Sequence, residues 1–108
     1  MVPGLFIDVV GDESTPWQAR TYAEYRFFAT LVRHARLIRT VRVRLGPAGQ
    51  ADMHLVTCSV DLVLESSGSV HADATAPHAY AAIDHAAECI DGLMNRGQRS
   101  ERYTAMRA

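Results

Sequence analysis

Hydrophobic and polar residues alternate through the middle of the chain in the pattern typical of β-strands. From Arg39 to Leu45 the sequence reads Arg-Thr-Val-Arg-Val-Arg-Leu, so the aliphatic side chains share one face and the arginines the other. A longer alternating run spans Met53 to Glu65, and another spans Val70 to Thr75. The turn sequence Ser66-Ser67-Gly68-Ser69 lies between these two runs and predicts a hairpin. The short apolar run from Leu5 to Val10 predicts a further strand at the beginning of the chain.

Two other segments have the composition and spacing of helices. The first helix is predicted from Trp17 to about Ala35, with Ser14 or Thr15 as its cap and Pro16 at its first position. The second is predicted from His78 to Met94, because its apolar residues recur at helical spacing. The residues of that apolar stripe are Tyr80, Ile83, Ala87, Ile90 and Met94.

The predicted elements follow the order β-α-β-β-β-α, which is an α+β fold. We expect a four-stranded sheet with the two helices packed on one face, because the apolar side of the sheet needs cover. An antiparallel sheet can leave its other face in water. The sequence therefore predicts one domain over residues 1–96, followed by a polar C-terminal tail over residues 97–108. We expect the tail to be a frayed helical extension or disordered.

Composition limits the classes of partner. The chain has 108 residues and a formal net charge of −1, so it has no overall electrostatic attraction to nucleic acid or to an anionic membrane. Its 11 basic residues are all arginine, a side chain suited to bidentate phosphate contacts. Neither a signal peptide nor a membrane span is recognisable. We therefore expect a cytoplasmic protein without a membrane partner.

The histidines and cysteines do not predict catalysis or metal binding. His54 and Cys58 share one strand face, but that face is expected to be the core, and no second pair completes a zinc site. His85 and Cys89 lack a third residue that would orient a nucleophile. The sequence predicts no catalytic residue, no metal ligand and no cofactor, and a small enzyme or metal-binding domain is the least favoured alternative.

Two sequence blocks resemble the ribosome hibernation promoting factor family, also called ribosome-associated inhibitor or sigma-54 modulation protein. One is the Arg39 to Leu45 strand; the other is Tyr80-Ala81-Ala82-Ile83-Asp84, which opens a helix after the alternating strand Val70-His71-Ala72-Asp73-Ala74. The resemblance covers about Leu5 to Met94. It implies a layout similar to double-stranded RNA-binding domains and a short form of the family. It also implies a protein that is not an enzyme and needs no cofactor.

The same resemblance implies a function. Such a protein binds the small ribosomal subunit, in the 16S rRNA channel that messenger and transfer RNA occupy. It represses translation by steric exclusion and protects idle ribosomes in stress or stationary phase. The implied rRNA contacts are arginines on the first helix, on the strand after it and near the C-terminus: Arg20, Arg33, Arg36, Arg39, Arg42, Arg44, Arg96 and Arg99.

The arginines also have ordinary structural explanations. Those on the wet sheet face could belong to a solvated surface that Asp61 and Asp73 balance across the strands. Arg96 and Arg99 could complement the dipole of the second helix rather than form a basic tail. Both explanations remain open from the sequence.

Two departures from the family pattern favour a different partner. The second helix is acidic, and the first is rich in aromatic residues. Lost positive charge lowers the affinity for a phosphate-lined channel. The alternative is a divergent paralogue acting as a protein–protein interaction module that binds another protein or forms a homodimer. We expect the aromatic residues to pack in the core; joint exposure of Tyr25 and Phe28 would instead mark an interface.

Overall fold

The computed structural model describes residues 5–48, 55–96 and 101–106. Five strands form a single sheet in the spatial order β1-β2-β3-β4-β5, so β1 and β5 are its edges. The central pairs β2–β3 and β3–β4 are antiparallel, whereas β1–β2 and β4–β5 are parallel. The elements are β1 (Ile7–Gly11), α1 (Trp17–Leu31), β2 (Ile38–Pro47), β3 (Val56–Leu64), β4 (Ser69–Ala76), α2 (Ala79–Asn95) and β5 (Glu101–Met106).

The structure confirms the α+β class and the predicted order β-α-β-β-β-α, but it differs from the prediction in two details: the end of the first helix, and a fifth strand where a four-stranded sheet was expected. The segment after α1 is a 3₁₀ helix, Val32–Leu37, so the α-helix ends at Leu31 rather than near Ala35. The strand β5 lies in the segment that we expected to be a frayed helix or disordered. Its alternation is short, with only Tyr103 and Ala105 at every second position. Its pairing with β4 accounts for the strand, because an open sheet edge accepts a strand through backbone hydrogen bonds.

The strand alternation separates a buried face from an open one. Val41 and Val43 on β2, and Val60 and Leu62 on β3, are at most 2% exposed and pack beneath the helices. The buried helix residues form one stripe on each helix: Ala19, Ala23, Phe27 and Leu31 on α1, and Ala82, Ile83, Ala86, Ala87, Ile90, Leu93 and Met94 on α2. The predicted core face of the strands is therefore confirmed, except that Val56 is only half-buried and His54 lies outside the described residues.

The predicted cap of α1 is wrong in detail. Ser14 and Thr15 do not cap the helix; their hydroxyl groups donate to Asp12 Oδ1 at 2.6 and 3.0 Å, and Pro16 is the N-cap residue. Asp12 is the first residue of the turn, and its carboxylate accepts the hydrogen bonds of both hydroxyl groups. This arrangement brings Thr15 against Gly11 at the end of β1.

Replacing Gly11 with alanine is expected to destabilise this turn. A Cβ at Gly11 would lie 2.8 Å from Thr15 Cβ, closer than side chains tolerate, and the hydrogen bond to Asp12 restrains Thr15. We expect Gly11→Ala to lower the free energy of unfolding by about 1–3 kcal/mol, the usual cost of forced overpacking. The matched control is Gly46→Ala, where a Cβ meets nothing within 4 Å. Urea unfolding of both variants measures the difference, and equal stabilities would contradict the proposed clash.

Candidate nucleic-acid interface

The sheet face that the helices leave open carries a row of charged side chains from four neighbouring strands. They alternate with the buried residues of the same strands, which directs them away from α1 and α2. This row consists of Asp8 on β1, Arg42 and Arg44 on β2, Asp61 on β3, and His71 and Asp73 on β4.

The arginines of this face have carboxylate neighbours. Arg42 Nε lies 3.3 Å from Asp8 Oδ2, and Arg44 Nη2 lies 3.2 Å from Asp61 Oδ2. At the beginning of β2, Arg39 Nε lies 3.6 Å from Glu65 Oε1. The three guanidinium groups remain 59–64% exposed. Ion pairs of this kind contribute only about 0–1 kcal/mol each, so a stronger anion can displace the carboxylate.

These three arginines line one open groove of about 560 Å³ at the β1–β3 end of the sheet face. Asp8 and Asp61 line it too, so the groove carries three positive and two negative charges. Its complete lining is Phe6, Asp8, Arg39, Thr40, Val41, Arg42, Arg44, Asp61 and Val63. We call it the open-face groove. It is the place where the structure gathers the largest group of predicted rRNA contacts.

The other predicted contacts lie elsewhere. Arg33 is on the helical side and binds Asp91 of α2, with Nη2 2.9 Å from Oδ1. Arg20, Arg36 and Arg96 are exposed, and none makes an ion pair with another described residue. Arg99 lies outside the described residues. The eight arginines therefore do not form one strip on one face, and four of them have an acidic neighbour.

His71 sits between two carboxylates on the same sheet face. Its Nδ1 contacts Asp61 Oδ1 at 2.5 Å and its Nε2 contacts Asp73 Oδ1 at 2.8 Å. Burial of the ring lowers the pKa of His71, but hydrogen bonds to Asp61 and Asp73 and their charges outweigh burial, so its pKa is raised overall. The balance predicted between arginines and Asp61 is confirmed, and Asp73 contacts the imidazole of His71.

This arrangement makes folding stability depend on pH near neutrality. Because the pKa of His71 is higher in the folded chain than its ordinary value, the protonated ring stabilises the fold below that ordinary value. The stabilisation is lost as the pH rises through the folded-state pKa. We expect the free energy of unfolding to fall between about pH 6 and pH 8, where histidine titrates. In His71→Gln this part of the pH dependence should disappear, and an unchanged profile would contradict the assignment.

Two acidic residues of α2, Asp84 and Asp91, bind α1 and the 3₁₀ helix that follows it. Asp84 Oδ1 accepts hydrogen bonds from the Tyr22 hydroxyl at 2.6 Å and from Arg26 Nε at 3.1 Å. The hydrogen bond to Asp84 raises the pKa of Tyr22. The ring of Tyr80 packs edge-on against that of Tyr22, with centroids 5.1 Å apart. The first and last residues of the Tyr80–Asp84 block therefore join the two helices.

The predicted burial of the aromatic residues on α1 is wrong for three of them. Trp17 is 69% exposed, Tyr25 is 70% exposed and Phe28 is 45% exposed. The buried stripe of α1 repeats every four residues and includes Phe27 alone among the aromatics, so its neighbours point away from the core. This exposure is the feature that we expected of a protein interface.

Three features of the described residues concern the requirements of a metal site, a reactive cysteine and a membrane-spanning helix. In residues 5–48, 55–96 and 101–106, no group of three or more histidine, cysteine or carboxylate side chains could hold a metal ion. Burial, with a smaller effect from the Asp73 charge, raises the pKa of Cys58 to about 12, so its thiol stays protonated at neutral pH. None of the helices described here is long and apolar enough to cross a membrane.

Comparison with known proteins identifies the fold. No protein-family model and no curated protein sequence matches the chain. Among solved structures, the N-terminal domain of protein Y from Thermus thermophilus is similar with a TM-score of 0.68 and 20% sequence identity, over 89% of this chain and 100% of that one. A ribosomal subunit interface protein from Coxiella burnetii is similar with a TM-score of 0.65 and 13% identity, over 84% of this chain and 94% of that one. The resemblance inferred from the sequence is thus confirmed for the fold, which this chain shares with both proteins.

Proposed function

We propose that this chain is a divergent member of the hibernation promoting factor family that associates with the ribosome. The observation that carries the proposal is the similarity to the protein Y N-terminal domain, which extends over the whole of that domain. The second neighbour is itself named a ribosomal subunit interface protein. The Tyr80–Asp84 block supports the same conclusion, because the residues that resemble the family make the contact between α1 and α2.

The open-face groove is the part of the surface best suited to rRNA. Arg39, Arg42 and Arg44 offer planar guanidinium groups that match the geometry of phosphate oxygens. Their carboxylate partners are exposed and weakly bound, and each phosphate contact also releases counterions from the RNA. Arg36, which has no acidic partner among the described residues, lies between the groove and α1 in the chain. Arg20, Arg33, Arg96 and Arg99 are the remaining proposed contacts.

The proposed mechanism is steric exclusion. A protein seated in the 16S rRNA channel of the small subunit cannot share it with messenger or transfer RNA, so translation stops and the idle ribosome is protected in stress or stationary phase. This function requires neither a catalytic residue nor a cofactor, and it would be exercised in the cytoplasm.

Cosedimentation of the purified protein with small ribosomal subunits tests the proposal. If Arg39, Arg42 and Arg44 each neutralise one phosphate, affinity should fall roughly 20- to 40-fold between 50 and 200 mM salt. Large subunits provide the comparison and should not carry the protein down. Absence of binding to small subunits at low salt would contradict ribosome association.

A second candidate function is protein–protein interaction without strong rRNA binding. It is favoured by the exposure of Trp17, Tyr25 and Phe28 and by the local pairing of Arg42 and Arg44. An apolar interface responds little to salt, whereas phosphate contacts respond steeply. Association with ribosomes that is weak and independent of salt would therefore support this second candidate.

A further inference from the structure

We infer that β1 is the contact strand of a homodimer, in which it pairs antiparallel with β1 of a second copy. The inference concerns the purified protein alone and does not depend on ribosome binding. It rests on the open edge of β1, on the two grooves beside that edge, and on the sequence of β1 itself.

The edge of β1 offers backbone groups to another strand. β2 pairs with one side of Ile7–Gly11, and no described strand occupies the other side. Unpaired N–H and C=O groups along a sheet edge bind an added strand through main-chain hydrogen bonds. The strand β5 forms the opposite edge of the sheet. Among the described elements, β1 and β5 are therefore the two strands to which another strand can be added.

Two grooves lie on either side of the β1 edge, and Phe6 lines both. The open-face groove is on the side away from the helices. On the helical side, a second groove of about 410 Å³ is lined by Leu5, Phe6, Ile7, Thr21, Glu24, Tyr25 and Phe28; we call it the aromatic groove. A strand added to β1 would present its side chains alternately to the two sides of the sheet. The grooves therefore give an added strand side-chain contacts on both faces.

The chain itself carries a strand with the required chemistry. On β1, Asp8 and Val10 face the open side, and Ile7 and Val9 face the helices. A second β1 would thus add one carboxylate to the open side of the sheet, where β2 carries two arginines, and aliphatic groups to the helical side. A second copy fulfils both requirements without another partner.

The charge of Asp8 selects the register. Pairing centred on Asp8 would set two carboxylates directly opposite each other, which is unfavourable. Pairing centred on Val9, the middle of the strand, sets Asp8 of the second copy opposite Val10, and Val10 neighbours Arg44 on β2. The two-fold axis then runs perpendicular to the sheet, so the α1 helices of both copies lie on the same side.

The exposed rings supply much of the necessary contact area. Phe6, Tyr25 and Phe28 are 79%, 70% and 45% exposed. Together they expose roughly 400 Å² per copy, about half of the ~800 Å² per partner that a stable interface buries. The paired strands and the facing α1 helices would provide the rest.

Sedimentation equilibrium from about 1 to about 200 µM tests the inference, since a standard-sized interface without optimised contacts dissociates in this range. The wild-type protein should show a monomer–dimer equilibrium. Phe6→Lys with Tyr25→Lys should weaken dimerisation about 100-fold or more, because both rings would contribute strongly to the interface. Both side chains are exposed, so circular dichroism should confirm an intact fold.

The matched control is Trp17→Lys, which changes an equally exposed aromatic residue of α1 that lines neither groove. It should leave the dimer unchanged. In the wild type, the β1 amides that do not bind β2 should exchange hydrogen more slowly as protein concentration rises. A wild-type monomer throughout the concentration range would overturn the inference. A dimer that survives the double substitution, or that Trp17→Lys weakens equally, would overturn it too.

Discussion

Reversing the charges of Arg42 and Arg44 together, by Arg42→Glu and Arg44→Glu, is expected to abolish cosedimentation with ribosomes at moderate salt. The double substitution removes two proposed phosphate contacts and sets two carboxylates against the RNA in their place. We expect the affinity to fall by about 100-fold or more. In a plot of log affinity against log salt concentration, the slope of the remaining binding should decrease by about one unit for each contact removed. Cosedimentation with small subunits measures the loss. It is done at about 100 mM salt, where interactions between exposed charges more than about 10 Å apart are largely screened.

The carboxylates of the same groove provide the opposite test. Asp8→Asn with Asp61→Asn keeps both guanidinium groups and removes the acids that lie 3.3 and 3.2 Å from them. Binding should become several-fold tighter, because phosphate no longer competes with a neighbouring carboxylate. Asp61 also binds His71, so unfolding of this variant is measured alongside. Unchanged cosedimentation of the arginine variant would remove the open-face groove from the ribosome interface and favour the protein-interaction alternative.

Strand faces could be predicted from the sequence, but the pairing of their charges could not. The period of two fixes which residues of β2 and β3 are buried, and therefore that Arg42 and Arg44 point into water. Their neighbours depend on register. Asp8 lies within an apolar run, 34 residues before Arg42, and only the parallel pairing of β1 with β2 brings the two together.

The acidic character of α2 has a structural explanation that sequence comparison alone could not supply. From the sequence, Asp84 and Asp91 are a departure that weakens the case for rRNA binding. In the fold, Asp84 binds Tyr22 and Arg26, and Asp91 binds Arg33. These contacts depend on how α1 lies across α2, which is a property of tertiary packing. Asp84 and Asp91 therefore compensate basic residues of the same helical layer.

The aromatic residues of α1 show how far helical periodicity can predict burial. Several apolar residues lie near one side of this helix, so the pattern admits a wide buried face. The fully buried stripe is narrow, because the buried residues of α1 are spaced four apart, and Phe27 is buried while Phe28 remains partly in water. This adjacent pair allows burial to be tested with everything else held nearly constant.

Phe27→Ala is expected to lower the free energy of unfolding by about 3–5 kcal/mol, because Phe27 is fully buried and its removal leaves a cavity in the core. Phe28→Ala should cost about 1 kcal/mol or less, since much of that ring is already hydrated. Both substitutions remove the same atoms from neighbouring positions of one helix, so helix propensity changes equally and cancels in the comparison.

Urea unfolding at about 1 µM protein keeps dimerisation from contributing to the measured stability. Under these conditions equal costs for the two substitutions would contradict the burial of Phe27. At protein concentrations high enough for the dimer to form, dimerisation is measured instead of unfolding. Phe28→Ala, which alters the aromatic groove, should weaken dimerisation while leaving the fold intact. One pair of neighbouring phenylalanines therefore separates the residue that stabilises the domain from the residue that is available to a partner.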